Sequence, residues 1–183
     1  MTLIGENLGW DVSANVQVGS FKCNIIEAAI LSHNKLICQL PDGAGKHLDV
    51  TYSVAGQSGI LSNGFSFNPP TIKSISPKYG STEGGDIITL QGADFGPKNP
   101  EITIGNVLCS FDELTMLHSH NSTECLLPEG SGSNLSVKIV VADQEDIVED
   151  GFSYDAPEIQ LVSPSSTNTQ GKSIYHISLG YIG

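Results

Sequence analysis

Four cysteines are the residues best placed to do chemistry, and they stand in two pairs: Cys23 with Cys38, and Cys109 with Cys125. Zinc knuckles need two thiolates about two to four residues apart, which neither pair offers. One disulfide per pair fits better: it would close a loop of about fifteen residues and stabilise the fold by roughly 3 kcal/mol in the chain-entropy account. Such bonds persist in oxidising compartments, outside the cell or in the secretory lumen. The alternative is a pair of buried free thiols in each place. Two glycosylation tripeptides, Asn121-Ser122-Thr123 and Asn134-Leu135-Ser136, agree with the oxidising compartment and would carry sugar on a surface loop or strand start.

Two other groups could hold a metal. His118-Ser119-His120 would set two imidazoles on one side of a strand as half a site, although no third ligand stands nearby. Residues 143–158 gather Asp143, Glu145, Asp146, Glu149, Asp150, Asp155 and Glu158 without one lysine. Near a junction between units they could clamp a calcium ion; a solvated hairpin that protects an edge is the favoured reading. No nucleophile, base and orienting group can be assembled, and no G-x-S-x-G, P-loop or H-E-x-x-H motif occurs. The segment reads as non-enzymatic, with no cofactor.

Composition narrows the partners. The 183 residues carry 8 basic against 20 acidic side chains, a net charge of -12, and every basic one is lysine. Without arginine's planar fork, and with a charge that repels polyanions, nucleic acid is an unsuitable partner. Mean hydropathy is -0.01 and no run of apolar residues is long enough to cross a membrane, so direct insertion by this segment is not expected. Many glycines (20) and prolines (9) between short β-branched runs point to an all-β chain.

These residues recur with a period of 87. Thr2-Leu3 and Gly5 return as Thr89-Leu90 and Gly92, Cys38 as Cys125, Leu40-Pro41 as Leu127-Pro128, and Gly64-Phe65-Ser66-Phe67 as Gly151-Phe152-Ser153-Tyr154. Gly19 and Cys23 match Gly105 and Cys109 one residue short of that period. Pro70-Thr71-Ile72 with Ser76-Pro77 returns as Pro157-Glu158-Ile159 with Ser163-Pro164. The chain therefore divides into 1–69, a unit lacking its first strand; 70–156, a complete unit; and 157–183, the start of a third. His33 and His120 are equivalent, so the fold itself gives a reason for that histidine. The counterpart of the acidic stretch, 56–71, has no charge, so the fold is not expected to need those carboxylates.

Within a unit, alternation at Ile88 to Gln91, a Gly105-Asn106 hairpin turn, a strand from Glu124 stopped by Pro128, the run Leu135–Val141 and the closing aromatics Phe152 and Tyr154 describe about seven short strands. That count in one unit gives tandem immunoglobulin-like Greek-key β-sandwiches. Pro-x-Ile-x-x-Ile-Ser-Pro at 70–77, Gly84-Gly85, Ile-Thr-Leu-x-Gly at 88–92, Phe95, the Cys109 and Cys125 pair, Leu127-Pro128 and Gly-Phe-x-Tyr at 151–154 resemble the IPT/TIG family, of E-set immunoglobulin-like type. The third copy departs from the pattern, with no glycine at 165–167 and Gly171-Lys172 in place of Gly-Gly.

The resemblance implies a segment of a cell-surface receptor or adhesion protein, similar to plexin-like and fibrocystin-like ectodomains, whose parent would be membrane-anchored. Its place is extracellular, and its partner is another protein, for which a neighbouring cell is a suitable location. Binding and spacing are both open as the role of this segment. Two other readings are a Rel-like transcription-factor dimerisation or DNA-binding domain, which the charge and cysteine pairs oppose, and an accessory module of a secreted carbohydrate-acting enzyme. The latter would want exposed aromatics, and Trp10 is the only tryptophan.

Overall fold

A computed structural model describes residues 1–9, 13–26, 33–112, 116–163, 165–166, 169 and the backbone of 176–178. All regular structure among these residues is strand. Trp10 and the sequence departures of the third copy at 167 and 171–172 lie outside them.

The first unit holds β1 (Thr2–Ile4), β2 (Asn15–Val18), β3 (Phe21–Ile25), β4 (Lys35–Gln39), β5 (Leu48–Val54) and β6 (Gln57–Phe65). They form one curled sheet in the order β1-β4-β3-β2-β5-β6, so β1 and β6 are its two edges. Alternate residues Val16, Val18, Cys23, Leu36 and Cys38 point inward and are buried, as a pleat of period two demands.

The second unit holds β7 (Thr71–Ser76), β8 (Tyr79–Gly80), β9 (Ile87–Ala93), β10 (Glu101–Ile104), β11 (Val107–Leu108), β12 (Ser122–Leu126), β13 (Leu135–Val141) and β14 (Gln144–Tyr154). Two sheets, β11-β10-β13-β14-β8 and β12-β9-β7, pack face to face as the expected sandwich. Ile88, Leu90, Phe95, Ile102, Ile139 and Phe152 fill the space between them, each at 1% exposure or less.

The repeat is visible in the ladders. Leu3 pairs with Leu36 and, 87 residues on, Leu90 pairs with Thr123. Val50 pairs with Leu61, and Val137 with Val148, each beside a bulge that keeps the closing aromatic on the core face. The hairpin turns also match: Ala55-Gly56 and Ala142-Asp143 all adopt positive φ, the two-residue turn that suits the twist of paired strands.

In the third segment β15 (Leu161–Ser163) pairs with β16 (His176–Ser178). Leu161, Val162 and Ser163 oppose Ser178, Ile177 and His176, the register of Ser74, Ile75 and Ser76 against Gln91, Leu90 and Thr89.

Candidate functional site: the junction between units and the groove of the first unit

The first two units meet without a spacer. Gln144, buried at the start of β14, donates from Nε2 to the carbonyl oxygen of Phe67 at 3.0 Å. Ala44, from the loop before β5, packs against the core of the second unit beside Gly96, whose positive φ of 73° suits glycine. Phe67 is itself braced by edge-on contacts to Phe21 and Phe65, with ring centroids 5.4 and 5.1 Å away. Outside this apolar contact His120 Nε2 lies 3.6 Å from Asp42 Oδ2, an exposed pairing that gains charge only when the imidazole is protonated. A recess of about 300 Å³ remains between Gly43, Phe65, Phe67, Asp94, Gly96 and His120.

The histidines do not converge. His118 forms an isolated antiparallel bridge with Thr123 and His120 lies in the bend before β12, so the two do not share a regular strand as the sequence suggested. His118 Nδ1 faces Thr123 Oγ1 at 3.2 Å and its Nε2 faces the Gly96 carbonyl at 3.0 Å, while His120 turns to Asp42. The repeated character of His33 and His120 lies in the main chain: Leu8 N donates to His33 O, and Phe95 N to His120 O.

The acidic residues do not gather at the junction of second and third units either. Asp143 stands in the turn before β14, Glu145, Asp146, Glu149 and Asp150 are strung along its eleven residues, roughly 35 Å, and only Asp155 and Glu158 flank the junction itself. The end carrying Asp143 abuts the first unit, where Ala142 approaches Gly45. Asp146 also has a structural duty that its uncharged counterpart did not foreshadow. Its Oδ2 accepts from Ile72 N at 2.7 Å and fastens β7. Among the described residues, no group of three or more His, Cys, Asp or Glu is arranged to hold a metal ion.

Cys23 Sγ lies 2.06 Å from Cys38 Sγ, and Cys109 Sγ 2.06 Å from Cys125 Sγ, each pair between strands or loops at equivalent places. Asn121 is exposed ahead of β12, and Asn134 is exposed with φ of 56° ahead of β13.

The second feature is a groove of about 680 Å³ in the first unit, between its edges β1 and β6. Leu3, Leu8, Val50, Tyr52, Leu61 and Phe65 line it. In the second unit the corresponding space, between β9 and β14, is filled by β7, whose Ile72 and Ile75 are buried in the core.

Sequence reasoning missed the junction residues. One signal was available: Gln144 repeats Gln57, a polar side chain held in register where other positions vary.

Two tandem all-β units, the second a sandwich of two sheets, meet through Ala44, Gly96 and the Gln144 bond to Phe67 and define a modular scaffold. The IPT/TIG domain family matches residues 1–68 and 70–156, and the chain belongs to that family. It is 30% identical to plexin-2 of Caenorhabditis briggsae over 94% of its own length and 10% of that protein, and 25% identical to human fibrocystin-L over 92% of its length and 4% of that protein. The chain thus spans a tenth or less of these relatives. A surface glycan-binding protein of Prevotella bryantii shares the fold, with a TM-score of 0.52 at 12% identity over 81% of this chain and 36% of that one.

Proposed function

We propose that this segment is a non-enzymatic part of the extracellular array of a cell-surface receptor or adhesion protein. It sets the spacing of neighbouring units as a semi-rigid rod and contacts a partner protein through its loops and strand edges. The observation that carries this reading is the linkerless junction: Gln144 on Phe67, and Ala44 seated against the second core, oppose bending between units. Prolines at 69, 70 and 157 restrict the backbone at each crossover. The likeness to plexin-2 and fibrocystin-L supports the cell-surface setting. The paired cysteines and the exposed Asn121 and Asn134 support oxidation and glycosylation in the secretory route. A net charge of -12 without arginine speaks against nucleic acid.

Small-angle scattering on the dilute chain tests the rod. One narrow distribution of inter-unit geometry is expected, broadened in Ala44→Asp; a wild-type chain as broad as the variant would refute it.

A further inference from the structure

The edge of β14 in the complete second unit is open where that strand is most acidic, and we infer that it takes up an extended, basic segment of a partner protein as an added strand. The inference rests on the array reading above and names the edge used and the chemistry that docks there.

Along the first half of β14 burial alternates. Gln144, Asp146 and Val148 turn inward, while Glu145, Ile147 and Glu149 face outward. Among the described residues β13 is the one ladder partner of 144–148. On the other side of β14, β8 joins it at Ser153 and Tyr154, and β7 is paired with β9 in the second sheet. That half of the edge therefore carries no neighbouring strand.

The hairpin turn decides which main-chain groups look out from it. Val141 and Gln144 flank the two-residue turn Ala142-Asp143, and residues so placed form a hydrogen-bonded pair. Pairs alternate along an antiparallel ladder, so Glu145 opposite Val140 and Ile147 opposite Lys138 are non-hydrogen-bonded pairs. The N–H and C=O of Glu145 and of Ile147 thus point away from β13, toward the open edge. Unpaired donors and acceptors in a row are the template that strand addition uses.

Charge selects the occupant. Ile147, 43% exposed, stands between the outward carboxylates of Glu145 and Glu149. Lys138 lies 3.9 Å from Glu145 in an exposed pair, which offsets that charge only weakly. Asp146 is already committed to Ile72 N. A second copy centred on this edge would set Glu145 against Glu149, an unfavourable like-charge pairing. A strand with lysine or arginine opposite each glutamate and an apolar residue opposite Ile147 fits all three positions. The first unit keeps the isoleucine as Ile60 between Ser58 and Ser62, so the charged form of the edge belongs to the second unit.

Nuclear magnetic resonance titration of the isotope-labelled full chain with a capped Thr-Lys-Thr-Val-Thr-Lys-Thr peptide tests the inference. The amides of Glu145 and Ile147 should shift and gain protection from exchange. An analogue with glutamate for both lysines should bind about tenfold more weakly or worse. The double variant Glu145→Gln with Glu149→Gln should lose that preference at an unchanged melting temperature, since both side chains are exposed. N-methylation of the peptide amides that face the edge should abolish binding. No binding by the basic peptide, equal affinity for the two peptides, or binding that survives N-methylation overturns the inference. The scattering test of the rod is independent of these results, so such a failure leaves the array reading standing.

Discussion

Ile72 N donates to Asp146 Oδ2 at 2.7 Å, and this bond holds the opening strand of the complete unit over its core. The counterpart of Asp146 in the first unit is Gly59, in the edge strand that borders the open groove. Replacing Asp146 by Ala leaves the N–H of a buried residue without that acceptor and should cost about 1–3 kcal/mol in urea unfolding. Asp146→Asn keeps an acceptor oxygen and should recover part of the loss; equal losses in both would remove the bond from the account.

Gly92→Ala and Gly5→Ala are the same change at equivalent positions with opposite expected results. The first drives a methyl into the Thr71 carbonyl and the Phe95 ring, 2.0 and 2.4 Å away. It should cost several kcal/mol, on the order of the larger overpacking effects. The second should shift the thermal midpoint little. Paired melting curves check the contrast.

Gln144→Ala removes the polar bond between the units. About 1 kcal/mol of stability should be lost, and the inter-unit scattering distribution should widen while each unit keeps its strand signature by circular dichroism.

Burial raises Tyr154 above its ordinary pKa of 10.0, and its hydroxyl donates to Pro128 O at 2.8 Å. The fold thus favours the neutral phenol. The unfolded chain ionises first, so this contribution is complete below pH 10 and is lost as pH rises through the folded value. Tyr154→Phe should lower stability at neutral pH by about 1 kcal/mol and flatten the alkaline decline. Urea midpoints at neutral and strongly alkaline pH give the test; Phe67 already stands at the equivalent place in the first unit.

Much of the sandwich was legible because its signals are local. Alternation at Ile88 and Leu90, the Gly105-Asn106 turn and the run from Leu135 to Val141 each fix a strand by side-chain period or turn chemistry. The 87-residue period then carried those assignments from unit to unit. The solvated hairpin expected over the acidic stretch is there, with Glu145 and Asp146 paired to Val140 and Ile139, but the length of β14 was not legible. The bond of Asp146 to Ile72 spans 74 residues, and no local pattern announces it. Nor could the sequence place the junction, since its contacts are an alanine methyl, a main-chain carbonyl and a glycine. Such contacts carry no distinctive residue type.

The central claim is an extracellular array with one covalent link in each cysteine-bearing unit. Non-reducing peptide mapping by mass spectrometry, on the chain made in a secretory host, tests it most directly. The account predicts peptides joined through Cys23–Cys38 and Cys109–Cys125, with sugar on Asn121 or Asn134. Free thiols throughout, or links crossing between the units, would contradict it.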